Sequence, residues 1–134
     1  MKASEGFHLI EILITFAIIA ILFALSVPIY SQHLIKERRL EALQMLARLA
    51  IAMEKYHIEY NTYRNVTLSL LHVPTVIAKE NYRLKIRSVT DTDYVLTAIP
   101  LGIQAKKDKD CGTLILHSSG KKGITGLGKM DECW

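Results

Sequence analysis

The sequence predicts an α+β fold: a long N-terminal α-helix laid on an antiparallel β-sheet of three or four strands, with a C-terminal loop closed by a disulfide. Three observations predict it. The first thirty residues are nearly all apolar, two later segments of strand length are rich in β-branched and aromatic residues, and the two cysteines, Cys111 and Cys133, both lie near the C-terminus.

Residues 7–30 read FHLIEILITFAIIAILFALSVPIY, where His8 and Glu11 are the polar exceptions at the start. As a helix this run measures about 36 Å, enough to cross the hydrocarbon core of a bilayer. It is too long for a signal peptide and has no small-x-small cleavage site before a polar start, so it is expected to be retained. Pro28 lies near its end, where loss of a backbone donor softens or kinks a helix. Glu11 is costly in such surroundings and calls for a partner, unless it sits at the interface and reaches outward. A free α-amine at residue 7 is the nearest candidate partner.

Beyond Tyr30 the helical spacing continues through Leu40, Leu43, Ala47, Ala50 and Met53, with charged residues between them, and Asn61 and Thr62 mark the expected end. Residues 63–81 read as an irregular connector. Tyr82–Val89 and Tyr94–Pro100 then form a predicted hairpin around Thr90–Asp93, with Leu84 and Ile86 facing one side and Arg83, Lys85 and Arg87 the other. A third strand is expected over Gly112–His117, followed by a turn through Gly123.

The cysteines have no CxxC spacing and are too few for a structural zinc site. A disulfide is the stronger reading and two free thiols the alternative. It would close a loop of about twenty residues and contribute on the order of 3 kcal/mol. Its persistence would place the C-terminal part outside the cytoplasm. The formal net charge is +4, and Lys106, Lys107, Lys109, Lys121, Lys122 and Lys129 concentrate near the cysteines, an excess expected to fall almost wholly inside the disulfide loop. The five histidines are scattered, and GLGK at Gly126–Lys129 lacks the rest of a phosphate-binding loop. No enzyme, cofactor, metal site or small-molecule substrate is expected.

Lys2, Gly6, Phe7, Leu9, Ile10 and Glu11, placed just before an unbroken apolar run, resemble the processing site of type IV prepilins. The resemblance implies a leader at residues 1–6, cleavage between Gly6 and Phe7 by a prepilin peptidase, and N-methylation of Phe7. It also implies pairing of Glu11 with the amine of a neighbouring subunit, a helix softened at Pro28, a transmembrane and assembly segment at 7–30, and a periplasmic head at 31–134. His8 departs from the threonine or serine usual there. CGTLILHSSGKKG with a second cysteine further on resembles the C-terminal region of minor pilins. The chain is thus expected first in the bacterial inner membrane as a single-pass protein and then in an extracellular pilus with other pilin subunits. Lys36, Arg38 and Arg39 after the span argue for the opposite orientation by the positive-inside rule, and the disulfide and leader overrule them. The expected function is that of a structural minor pilin. The alternatives are a DNA-binding pilin for DNA uptake, with the six lysines as candidate phosphate contacts, and a type II secretion pseudopilin.

Overall fold

The computed structural model describes residues 8–134. The expected leader, the Gly6–Phe7 cleavage point and the Phe7 amine lie outside the described residues. The chain divides into two compact units, the first ending at Leu34 and the second running Ile35–Trp134.

Helix α1 spans Leu9–Tyr60 and contributes to both units. In the first unit its Leu, Ile, Ala and Phe residues satisfy the backbone within the helix, yet residues 9–30 are all exposed. A helix apolar all round with nothing covering it is built for lipid or for other helices. Its mean hydropathy peaks at 2.8. Glu11 sits in the first turn, where Oε2 accepts the backbone N–H of His8 at 3.1 Å. This reach-back is one half of a capping box, and it places a negative charge at the positive end of the helix. Pro28 is inside the helix.

In the second unit α1 has one buried face, and it is not the one expected from Leu40, Leu43, Ala47, Ala50 and Met53: Leu40 and Ala47 are exposed, Leu43 and Ala50 half-buried, and only Met53 of that set is fully buried. Ala42, Leu46, Leu49 and Met53, each fully buried, recur at the four- and three-residue intervals that align on one side of a helix. The helix stops where Asn61 turns left-handed (φ 56°) and its N–H reaches His57 O at 2.7 Å, the conformation asparagine tolerates best among residues with a side chain.

The sheet has five strands in the order β1 (Val76–Ile77), β2 (Tyr82–Val89), β3 (Tyr94–Pro100), β4 (Leu114–His117) and β5 (Lys122–Ile124), every neighbouring pair antiparallel. Tyr82, Leu84, Leu96, Ala98 and Leu114 meet the buried face of α1 to form the core. The sequence led us to expect three or four strands. The additional β1 and β5 have two and three residues, too few for alternation to register. β5 occupies part of the stretch expected to be a turn, and β1 lies within the expected irregular connector. The register of β2 shifts between Ile86 and Ser88, which is why the alternation in the sequence weakens towards Val89. The hairpin turn is as expected, with Thr90 N–H donating to Asp93 O at 2.8 Å.

Two short helices, α2 (Gly102–Lys107) and α3 (Met130–Cys133), complete the unit. A buried polar cluster ties them to α1. The Arg39 guanidinium donates twice to Asp108, Nε at 2.9 Å and Nη2 at 2.6 Å, and its Nη1 reaches Glu132 O in α3 at 2.8 Å. Tyr82 OH donates to Asp108 at 3.1 Å, and Gln104 Nε2 donates to Asp108, Tyr82 OH and Ile35 O. Burial, together with the nearby Asp108 charge, raises the Tyr82 phenol well above its ordinary range, so it stays a donor. Breaking this cluster strands a charge that is already out of water. Asp108→Ala should therefore lower stability by about 3 kcal/mol, while Arg39→Met combined with Asp108→Leu should cost less than Asp108→Ala alone. Equilibrium denaturation reads both, and an equal or smaller loss in the single variant would contradict the role given to the pair.

Candidate nucleic-acid interface

Asp108 faces inward and its neighbours face out. Lys106 and Lys107, in the last turn of α2, and Lys109, just beyond it, are exposed, as are Lys121, Lys122 and Lys129. The expectation that these charges fall almost wholly inside the disulfide loop is corrected: Cys111–Cys133 encloses Lys121, Lys122 and Lys129, while Lys106, Lys107 and Lys109 precede it.

The loop is nevertheless folded against the preceding segment. Gly126 N–H donates to Cys111 O at 3.1 Å and Gly128 N–H to Asp110 O at 2.8 Å. A Cβ on Gly126 would lie 2.0 Å from Asp110 O, so only glycine permits this approach. Lys109 and Lys129 are each one residue from the same backbone bond, and the lysines of α2 adjoin them. Lys121 and Lys122 sit at the opposite end of the β4–β5 hairpin, about 10 Å away at the rise of a strand. The six lysines thus form two groups along one hairpin. The field is mixed, since Asp110, Asp131 and Glu132 are exposed there too.

Two residues of this surface escaped the sequence reading. The indole N–H of Trp134 donates to Gly123 O at 3.1 Å, and Lys122 Nζ lies 5.2 Å from its ring centroid, within cation–π range. Leu127, between the two close-packed glycines, is fully exposed at the tip of the loop. The disulfide Cys111–Cys133, with a Cα–Cα separation of 5.5 Å, holds α3, and with it Trp134, to the start of the loop. A tryptophan at the chain end and a lone leucine carry no periodic signal, so only the crosslink could have hinted at their place.

The exposed side of α1 in the second unit carries Leu40, Ala47, Ile51 and Ile58, which at 100° per residue lie opposite the buried Ala42, Leu46, Leu49 and Met53. This apolar stripe offers a surface for packing against another helix. Among the described residues no group of three or more His, Cys, Asp or Glu side chains is placed to hold a metal.

A family model described as type IV minor pilin ComP, DNA uptake sequence receptor, matches residues 28–115, from Pro28 in α1 to Ile115 in β4. No curated protein matches the chain. The matched residues make up more than half of the chain and include α1 from Pro28 onward, the β2–β3 hairpin and the Arg39–Asp108 pair. The chain therefore belongs to the type IV minor pilin family ComP, DNA uptake sequence receptor.

Proposed function

We propose that this protein is a minor pilin serving DNA uptake, anchored in the inner membrane as a precursor and then carried in a type IV pilus, where its basic surface binds DNA. The observation that carries the reading is the match of residues 28–115 to a family described as a DNA uptake sequence receptor. That range contains Lys106, Lys107 and Lys109 but ends before Lys121, Lys122 and Lys129. Physical support comes from six exposed ammonium groups on a crosslinked scaffold: phosphate neutralisation releases counterions, and a fixed loop loses less entropy on binding than a free tail. The apolar helix supports the anchoring and assembly part, and the stripe Leu40–Ala47–Ile51–Ile58 would extend the subunit contact beyond the membrane segment. The partners are other pilin subunits, a prepilin peptidase that removes residues 1–6 and methylates Phe7, the inner membrane and DNA.

Mixed-sequence duplex should bind the detergent-solubilised protein with an affinity that falls steeply with salt. Each of the six lysines replaced by alanine should flatten the logarithmic salt slope by about one unit, and Cys111→Ser should weaken binding by releasing the loop. Absence of binding at low salt would leave a structural minor pilin without a DNA ligand.

Leader removal rests on Gly6. A bulky residue such as Gly6→Leu should leave uncut precursor in the membrane, seen as a mass increase on intact mass spectrometry. Normal processing of that variant would reject the cleavage site.

For Glu11 the structure suggests a sharper comparison than alanine alone. Glu11→Ala should give stable, processed protein that enters filaments poorly. Glu11→Gln keeps an acceptor for His8 N–H but loses the charge, so it should also incorporate poorly if Glu11 pairs with a neighbour's amine. Wild-type incorporation of Glu11→Gln would reduce the role of Glu11 to capping its own helix.

A further inference from the structure

Strand β2 is eight residues long, but its neighbour β1 has only two, pairing with Tyr82 and Arg83. One further bond, from Leu84 N–H to Thr75 O at 2.8 Å, ends that side of the ladder. Pro74 comes next and supplies no donor, and the chain turns away through Leu68–Val73. On the other side of β2, Arg83 and Lys85 stand opposite Ile99 and Thr97 in β3. Alternation in an antiparallel ladder therefore turns the backbone of Leu84 and Ile86 away from β3, and beyond Thr75 no strand meets Ile86.

A cavity of about 500 Å³ follows this open edge, bounded by Val66, Leu68, Leu84, Ile86 and Ile99, with the Thr67 and Thr75 side chains beside them. Arg83 and Lys85 line it as well, both exposed. Among the described residues no carboxylate pairs with Arg83 or Lys85. The turn that leads into β2 is held in a costly form: Ala78, Lys79 and Glu80 are all left-handed (φ 54°, 51° and 64°), and Asn81 Nδ2 braces the carbonyls of Ala78 and Lys79. That turn fixes the pairing of β1 with Tyr82 and Arg83, and Pro74 stops β1 at the other end, so the edge beyond Thr75 is not closed by the chain's own strand.

We propose that this groove docks an extended acidic segment of a partner protein, which adds as a strand to the open edge of β2. Its backbone pairs with Ile86, its alternate apolar side chains enter beside Val66 and Leu68 on the face of Leu84 and Ile86, and its carboxylates meet Arg83 and Lys85 on the other face. Strand addition uses main-chain bonds for affinity and side-chain pockets for specificity, which is the combination present here. The groove contains no aromatic residue, so a nucleic-acid strand would find no stacking surface. The inference does not depend on the filament or DNA readings.

The test is fluorescence anisotropy of the detergent-solubilised full chain with a labelled nonapeptide alternating Glu and Val. That peptide should bind saturably. An analogue with a central proline should bind about tenfold more weakly, and so should one with Lys in place of Glu. The double variant Arg83→Glu, Lys85→Glu should invert the preference so that the Lys peptide binds better, a result a misfolded protein cannot give. Absence of saturable peptide binding, or equal binding of the proline analogue, would overturn the proposal. So would a duplex DNA that binds more tightly than either peptide and is lost in the double variant, which would assign the groove to nucleic acid.

Discussion

The buried pair between Arg39 and Asp108 is the constraint on which the rest of the second unit depends. Asp108 is 3% exposed, and a carboxylate so buried persists only with its charge met and its lone pairs used. Two Arg39 nitrogens, Tyr82 OH and Gln104 Nε2 do this together, drawing on α1, β2 and α2. Arg39 also reaches Glu132 O, so the same guanidinium locates α3. Because Asp108 must point inward, Lys107 and Lys109 on either side are turned to water. The basic surface is therefore a consequence of the buried cluster. Gln104 Oε1 is left without a hydrogen-bond partner inside it.

A second constraint is the one helix that must satisfy two environments. Residues 9–30 spread their apolar groups around the whole circumference, whereas residues 35–60 bury Ala42, Leu46, Leu49 and Met53 fully in the core with Leu43, Met45, Ala50 and Tyr56 packed beside them. The first pattern suits lipid or a bundle of like helices, and the second suits a sheet on one side. Glu11 belongs to neither pattern. Its bond to His8 N–H gives it a local role at the start of its own helix.

Most of the architecture was legible because it rests on long periodic signals. The apolar run, the continued helical spacing, the terminator at Asn61, the alternation of β2 and the pair of cysteines each repeat or stand out over many residues, whereas the face of α1 that meets the sheet was misread because apolar residues occur on both of its sides. The features that were missed are short or depend on distant contacts. β1 and β5 are below the length at which alternation can be told from chance, and α2 and α3 have too few turns to show a face. Arg38 and Arg39 read alike in sequence, and only the position of Asp108 in space selects the second. The GLG of the C-terminal loop reads as a turn, while its packing against Asp110 needs the fold. That Lys106, Lys107 and Lys109 precede Cys111 is readable from the numbering alone, whereas the division of the other three lysines between the two ends of a hairpin needs the fold.

The central claim is that DNA meets this protein on the lysines around α2 and the disulfide loop. Acetylation footprinting of the full chain, with duplex DNA present and absent, tests it residue by residue. The account predicts protection of Lys106, Lys107, Lys109, Lys121, Lys122 and Lys129, with Lys36, Lys55, Lys79 and Lys85, which are equally exposed, modified to the same extent in both samples. Protection centred on that second set, with the first six unchanged, would contradict it.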